Sequence, residues 1–469
     1  MNNKIAYLWG LLSKFLPEVI FLGTTMVLAR LLAPEDFGII GVISIIFTVA
    51  NAITSSGLGG SLIKEKKITD IDCSSIFCFN VVVSTILYII VFFSANTIEA
   101  YYEVQGLARI TRIVSLTFVL DSFSLVPRAL LYKQVNFKLI CRISILSVII
   151  SSLCSISYAL VKPDVYSIVT YRVVLSASTS ILYLYFSKYK CSLRFSFASL
   201  KKLLPFGIFT TLSTVVDSIY ENALSLIFGK TEGMGSTGYF YQAKKTEDAL
   251  TITVTSTISQ VAFPILTKIK DDYNVLKQES DSVFKTIVLL FTPILLLISV
   301  YADEIMVLLY GNNWIESGVY MRLLMYASVF MVMENLNRTF IKSLGKGKPI
   351  LYVSLIKRTL GIVLLFSVLF INSKYIVHMY VFTAFVGFLI NQIAYTKLIH
   401  SSFIQNVWKI VMILIPNIFL LVFFNLTYSL FNSLIMKIFI CGMICLVYYF
   451  FVFHYLGYRL STLKKFLKK

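Results

Sequence analysis

Charge is scarce in this sequence of 469 residues. Asp, Glu, Lys and Arg together make up 14%, too little to cover the surface of a soluble domain of this length. Histidine occurs 3 times, and the 7 cysteines form no CxxC pair. That excludes the usual zinc and dithiol spacings, so neither metal nor cofactor is expected. The cysteines read as small apolar packing residues; Cys441 and Cys445 share a helix face, and Cys73 and Cys78 flank the start of a span. Long polar segments are missing too. No connection between apolar runs exceeds about 20 residues, which leaves no room for a soluble catalytic domain, and no nucleophile–base constellation is visible. The chain is therefore read as a non-enzyme.

What is abundant is hydrocarbon. Hydrophobic residues make up 58% of the chain and mean hydropathy is +0.82. Apolar runs of about 20 residues, each able to cross roughly 30 Å of bilayer, recur from end to end. They predict an all-α integral membrane protein of about fourteen spans. The spans fall near 6–32, 38–63, 75–98, 108–131, 141–161, 166–187, 205–229, 238–265, 283–310, 318–343, 349–371, 375–399, 408–428 and 432–456. The run over 5–32 is too long for the apolar part of a cleavable signal and contains Lys14, Glu18 and Arg30, so it reads as the first span.

Basic residues outnumber acidic ones 42 to 23, giving a net charge of +19. Nucleic-acid binding is the first reading of such an excess, but the placement argues against it. One set of alternate loops receives Lys64, Lys66, Lys67, Arg128, Lys133, Lys138, Lys188, Lys190, Arg194, Lys201, Lys202, Lys268, Lys270, Lys277, Lys342, Lys346, Lys348 and the tail from Arg459 to Lys469. The other set receives Lys162, Lys230, Lys374 and the acids Glu35, Asp36, Glu99, Glu103, Asp303 and Glu304. The roughly sevenfold imbalance assigns the first side to the cytoplasm, and an even span number puts both termini there.

The chain also repeats itself. Gly38 falls opposite Gly238, Ser75-Ile76-Phe77 opposite Ser282-Val283-Phe284, and Arg128 and Lys138 opposite Arg338 and Lys348, at an offset of about 200–210 residues. Two six-helix lobes, 1–200 and 201–400, follow, with 401–469 holding two further helices and the basic tail. Six is even, so the halves share an orientation and a pseudo-two-fold along the membrane normal; transporters built this way bind substrate near mid-membrane.

Charges inside a bilayer are costly and mark functional paths when they line one face. Span 1 carries Gly10, Lys14, Glu18 and Thr25 at helical spacing; span 2 carries Ser44, Thr48, Asn51 and Ser55. Span 7 carries Thr214, Asp217, Ser218, Glu221, Asn222 and Ser225; span 8 carries Lys244, Lys245, Asp248, Thr251, Thr255 and Ser259. These stripes predict a hydrated cleft. Lys14, Lys244 and Lys245 suit a phosphate or pyrophosphate; Glu18, Asp217, Glu221 and Asp248 are the candidates for carrying a coupling ion. Lys14–Glu18 and Lys244–Asp248 are also i,i+4 pairs able to neutralise each other. Pro34-Glu35-Asp36 has a structural reading as a helix opening, and Gly57-Leu58-Gly59-Gly60 reads as a bend or close crossing.

Ala29-Arg30-Leu31-Leu32-Ala33-Pro34-Glu35-Asp36-Phe37-Gly38, followed by Gly57-Leu58-Gly59-Gly60-Ser61-Leu62-Ile63, resembles the opening of Wzx-type polysaccharide flippases of the multidrug/oligosaccharidyl-lipid/polysaccharide superfamily. The resemblance implies a flippase that moves an undecaprenyl-pyrophosphate-linked oligosaccharide across a bacterial plasma membrane by alternating access driven by an ion gradient. It implies charged cavity residues on helices 1, 2 and 8. Helices 1 and 8 fit that pattern here, whereas helix 2 has only Ser44, Thr48, Asn51 and Ser55. It also implies that helices 13 and 14 form a groove for the lipid tail, and that membrane lipids, a polysaccharide polymerase and chain-length machinery are partners, with no nucleic acid. A drug or small-solute antiporter of the same superfamily, and a membrane polymerase or ligase, are the competing readings.

Overall fold

A computed structural model describes residues 3–56, 58–65, 68–187, 189, 194–269, 272–344, 347–368, 372, 375–399, 401–430 and 434–455. Gly57, Lys66, Lys67, Lys188, Lys190, Lys270, Lys346, Lys374 and the basic tail from 456 onward lie outside them. The described chain is helical throughout and contains no strand. Its helices are α1 (Asn3–Leu31), α2 (Pro34–Asn51), α3 (Leu58–Lys64), α4 (Asp70–Tyr102), α5 (Leu107–Lys133), α6 (Phe137–Val161), α7 (Tyr166–Ser187) and α8 (Phe197–Thr231). Then come α9 (Gly233–Lys268), α10 (Tyr273–Val300), α11 (Ala302–Tyr310), α12 (Ser317–Ser343), α13 (Gly347–Ser367), α14 (Ile376–Leu398), α15 (Phe403–Leu430) and α16 (Leu434–Tyr455). Each span placed from sequence overlaps helix over its described residues, but 38–63 crosses three helical segments and 283–310 crosses the break at Tyr301 between α10 and α11. Among the described residues, 9 segments are long and apolar enough to cross a membrane.

Helix starts follow local chemistry. Pro34 occupies the first turn of α2, and Asp36 accepts a hydrogen bond from the Ala33 amide at 3.1 Å, so the Pro-Glu-Asp opening has its structural role. Thr69 and Asp72 cap α4 reciprocally, at 3.2 and 3.0 Å. Asp272 caps α10 by accepting from the amides of Asn274 and Val275. Span 2 is not one regular helix: α2 passes into a π-turn over Ala52–Ser56 before α3 resumes the path. Gly59 beyond the break lies against Leu125, where a Cβ would be 3.2 Å from its side chain.

By internal contacts the chain forms two compact units, Met1–Gln242 with Leu309–Trp314, and Ala243–Leu308 with Ile315–Lys469. In the first, α1 packs on α6, α4 and α7 on α5, and α2 on α8. Its tightest approach is at paired glycines. A Cβ on Gly38 would lie 1.9 Å from the Met234 carbonyl oxygen, and one on Gly238 would lie 1.8 Å from that of Pro34. Gly38 and Gly238 thus face each other across α2 and α9. Trp314 is fully buried beside them; its Nε1 donates to the Ala29 carbonyl at 2.7 Å, and its ring meets Phe37 edge-on. In the second unit α12 packs on α10 and α14, α13 on α14, and α15 on α10 and α16.

Candidate functional site

The two charges of the α1 stripe, Lys14 and Glu18, stand open, whereas Thr25 is buried. Lys14 and Glu18 lie one turn apart and are both exposed, yet no ion pair joins them. Glu18 acts electrostatically on the buried Tyr171 of α7. Deeper along α1, Thr24 donates to Ser152 of α6 at 2.6 Å, a polar link between helices.

The stripes of α2 and α8 meet. Ser44 Oγ donates to Asn222 Oδ1 at 2.9 Å, and Asn222 Nδ2 donates to Thr48 Oγ1 at 3.1 Å. Thr48 is therefore engaged in helix–helix bonding, and Gly41 of the same helix leaves room for Tyr241 of α9. In α8, Asp217 is half-buried and Glu221 exposed. Asn51 instead lines a polar cavity of about 230 Å³ inside the first unit, shared with Thr54 of the π-turn, Asn80, Asp121, Ser124 and Arg128. Irregular backbone at membrane depth is tolerated where it borders such polar space.

In α9 the geometry is the reverse of α1. Lys244 is paired with both Glu247 and Asp248, and its side chain is 16% exposed. Glu247 is 1% exposed and accepts a further hydrogen bond from Ser328 Oγ of α12 at 2.5 Å. One ammonium thus meets two carboxylates in a nearly dry setting. Lys245, next in sequence, is half-buried. Glu247 is not among the span 8 stripe residues named from sequence, although it sits at i+3 from Lys244.

A second buried pair lies at the junction of three helices. Lys357 of α13 bonds Glu334 of α12, with side-chain exposures of 14% and 8%. Gly387 of α14 leaves them room. Nothing in the sequence around Glu334 points to Lys357, 23 residues on, as its partner.

The second unit also holds an apolar groove of about 900 Å³ built from α10, α12, α14, α15 and α16. Phe284, Ile410, Ile413, Pro416 and Phe451 supply its walls. Lys285, Lys409 and Trp408 add cationic and amphipathic groups, and Lys409 pairs with Asp281 at 2.7 Å. Aromatic indoles and lysines of this kind are typical of membrane interfaces. Outside the spans, the Lys230 ammonium donates to Glu103 at 2.8 Å and holds that carboxyl below the ordinary glutamate range.

Comparison with known proteins points in one direction. A family model described as "Polysaccharide biosynthesis protein" matches residues 27–319. The chain is 26% identical over 290 residues to lipopolysaccharide biosynthesis protein WzxC of Escherichia coli (strain K12), covering 61% of this chain and 59% of that protein. It is 22% identical to teichuronic acid biosynthesis protein TuaB of Bacillus subtilis (strain 168), covering 77% of this chain and 76% of the relative. Among solved structures it resembles the lipid II flippase MurJ in an inward closed conformation. The TM-score is 0.76 at 14% identity, over 96% of this chain and 99% of that one. An inward-facing multidrug MATE transporter matches with TM-score 0.62 at 15% identity over 84% of this chain. These structural likenesses establish the fold.

Proposed function

Because the chain belongs to the polysaccharide biosynthesis protein family, we propose that it is a flippase for a lipid-linked oligosaccharide. The observation that carries this reading is the apolar groove against α15 and α16, edged by Lys285, Lys409 and Trp408. An isoprenoid chain needs a hydrocarbon-lined track, and its phosphate needs cations at the end of that track. Most of the transfer cost belongs to the sugar and phosphates, because polar groups without partners are expensive in hydrocarbon. Lys14, Glu18, Asp217 and Glu221 in one unit, and Lys244, Lys245 and Asp248 in the other, serve as polar stations for that headgroup. The substrate is an undecaprenyl-pyrophosphate oligosaccharide, and transport proceeds by alternating access.

Coupling to an ion gradient is assigned to Glu18, Asp217, Glu221 or Asp248. Of these, Asp248 already shares Lys244 with Glu247, so an entering proton or cation competes with that ammonium. The site of action is the bacterial inner membrane with both termini cytoplasmic, and a polysaccharide polymerase with its chain-length machinery takes the product. The test is a leaflet-translocation assay in proteoliposomes with a fluorescent lipid-linked sugar. Transfer above the protein-free rate is the expected result. No transfer, together with export of small cationic dyes, assigns the chain to the solute antiporters instead.

A further inference from the structure

The second unit contains a group of cations that the proposed stations do not use. On α12, Glu334, Arg338 and Lys342 follow one another at four-residue intervals and so stand on one helix face. Lys357 reaches Glu334 from α13 and neutralises it. A Cβ on Gly387 of α14 would lie 3.0 Å from both Glu334 Oε2 and Lys357 Cδ, so three helices close around this pair. Arg338 is near enough to repel both Lys357 and Lys342. Arg358, beside Lys357, adds to that repulsion and has a partner of its own.

Two features of this group are unresolved. Arg338, Lys342 and Lys357 set three positive charges near Glu334, and among the described residues only Lys357 forms an ion pair with that carboxylate. In addition, Arg338 Nε is buried and has no hydrogen-bond acceptor. A buried guanidinium donor without an acceptor is unfavourable, and repulsion from the buried Lys357 beside it compounds this. An oxyanion corrects both faults together. The surplus is at least two charges, more than one carboxylate carries and suited to a phosphate or pyrophosphate group. The guanidinium fork is also the side chain best shaped to meet phosphate oxygens.

We propose that the α12–α13 hairpin is an anion station that takes a phosphate or pyrophosphate group at Arg338 and Lys342, beside the Glu334–Lys357 pair. If that phosphate belongs to the cargo, the station rests on the flippase reading above; a free phosphate anion would bring the same chemistry.

The test uses the full-length protein in nanodiscs, with R338Q, K342Q and the double variant, and calorimetric titration by inorganic pyrophosphate and by undecaprenyl pyrophosphate. Lys342 is exposed, so K342Q keeps the proposal testable if R338Q fails to fold. The expected result is saturable binding of both probes by the unmodified protein, and at least a tenfold weaker affinity for both in each folded variant. Loss for inorganic pyrophosphate alone supports the anion station and assigns it to a free phosphate rather than to cargo. Absence of lipid binding and of translocation by the unmodified protein, with inorganic pyrophosphate binding still lost in K342Q, supports the station and sinks the flippase reading. Equal affinities in all folded proteins, or no binding of either probe by the unmodified protein, overturn the station.

Discussion

Helices α1 and α9 carry the same sequence device, a lysine followed one turn later by an acid, and make opposite use of it. Lys14 and Glu18 are exposed and separate. Lys244 and Asp248 are joined, and Glu247 draws the ammonium further in. Spacing at i,i+4 permits a pair but adds only a few tenths of a kcal/mol on an open helix. The difference comes from third parties. In α9 the buried Glu247 and the Ser328 hydroxyl on α12 complete a network whose members have few other partners. In α1 no ion pair to Lys14 or Glu18 is formed among the described residues. A mutually satisfied network contributes to stability and engages a ligand only by exchanging a partner, whereas charges left open are available to a ligand directly.

The comparison breaks most visibly at Glu247. E247A leaves Lys244 half-buried with Asp248 alone, and removing one member of a buried pair costs about 3 kcal/mol. The expected result is a large drop in melting temperature in detergent, with little folded protein recovered. S328A should cost less, about 2 kcal/mol for a hydrogen bond to a buried carboxylate, read by the same melt. K14Q and E18Q should change stability by less than about 0.5 kcal/mol, yet each should abolish surface polysaccharide in a strain lacking the native protein. Instability in K14Q equal to that in E247A would erase the distinction drawn between the two helices.

The smallest expected effect lies outside the membrane. Glu103 has its folded pKa depressed by Lys230. Its contribution to stability is therefore present above the ordinary glutamate pKa and fades as pH falls through the lower folded value. E103Q should remove that acid-side slope from the melting curve between pH 6 and 3 and leave neutral-pH stability almost unchanged, since the group is solvated.

Much of this architecture was legible in the sequence. Apolar runs located the helices, because hydrocarbon demands length and composition alone. The glycine pair was legible as a match at constant offset, although not as a contact. Within α2, the π-turn was invisible: Ala52–Ser56 has ordinary helix-compatible residues, and the irregularity belongs to the packing around Thr54 and Asn80. Charged stripes named candidate residues but not their company. Thr48 turned out to be held by Asn222, and Glu334 by Lys357. Such partners come from helices about 25 to 175 residues away, and local periodicity carries no information across that distance.

The facing glycines also set a schedule for biosynthesis. Gly38 and Gly238 each meet a backbone carbonyl of the opposite helix, so neither site can be completed by repacking a side chain nearby. At a synthesis rate of about 5–20 residues per second, α9 emerges some 10–40 s after α2. Throughout that interval the first helices sit in the bilayer without their closest neighbour, and Trp314, whose indole bonds Ala29, arrives later still. Assembly of the amino-terminal unit is thus a late event, sealed by segments from the middle of the chain, and the waiting hairpins are the stage at which insertion machinery and quality-control proteases have their longest access.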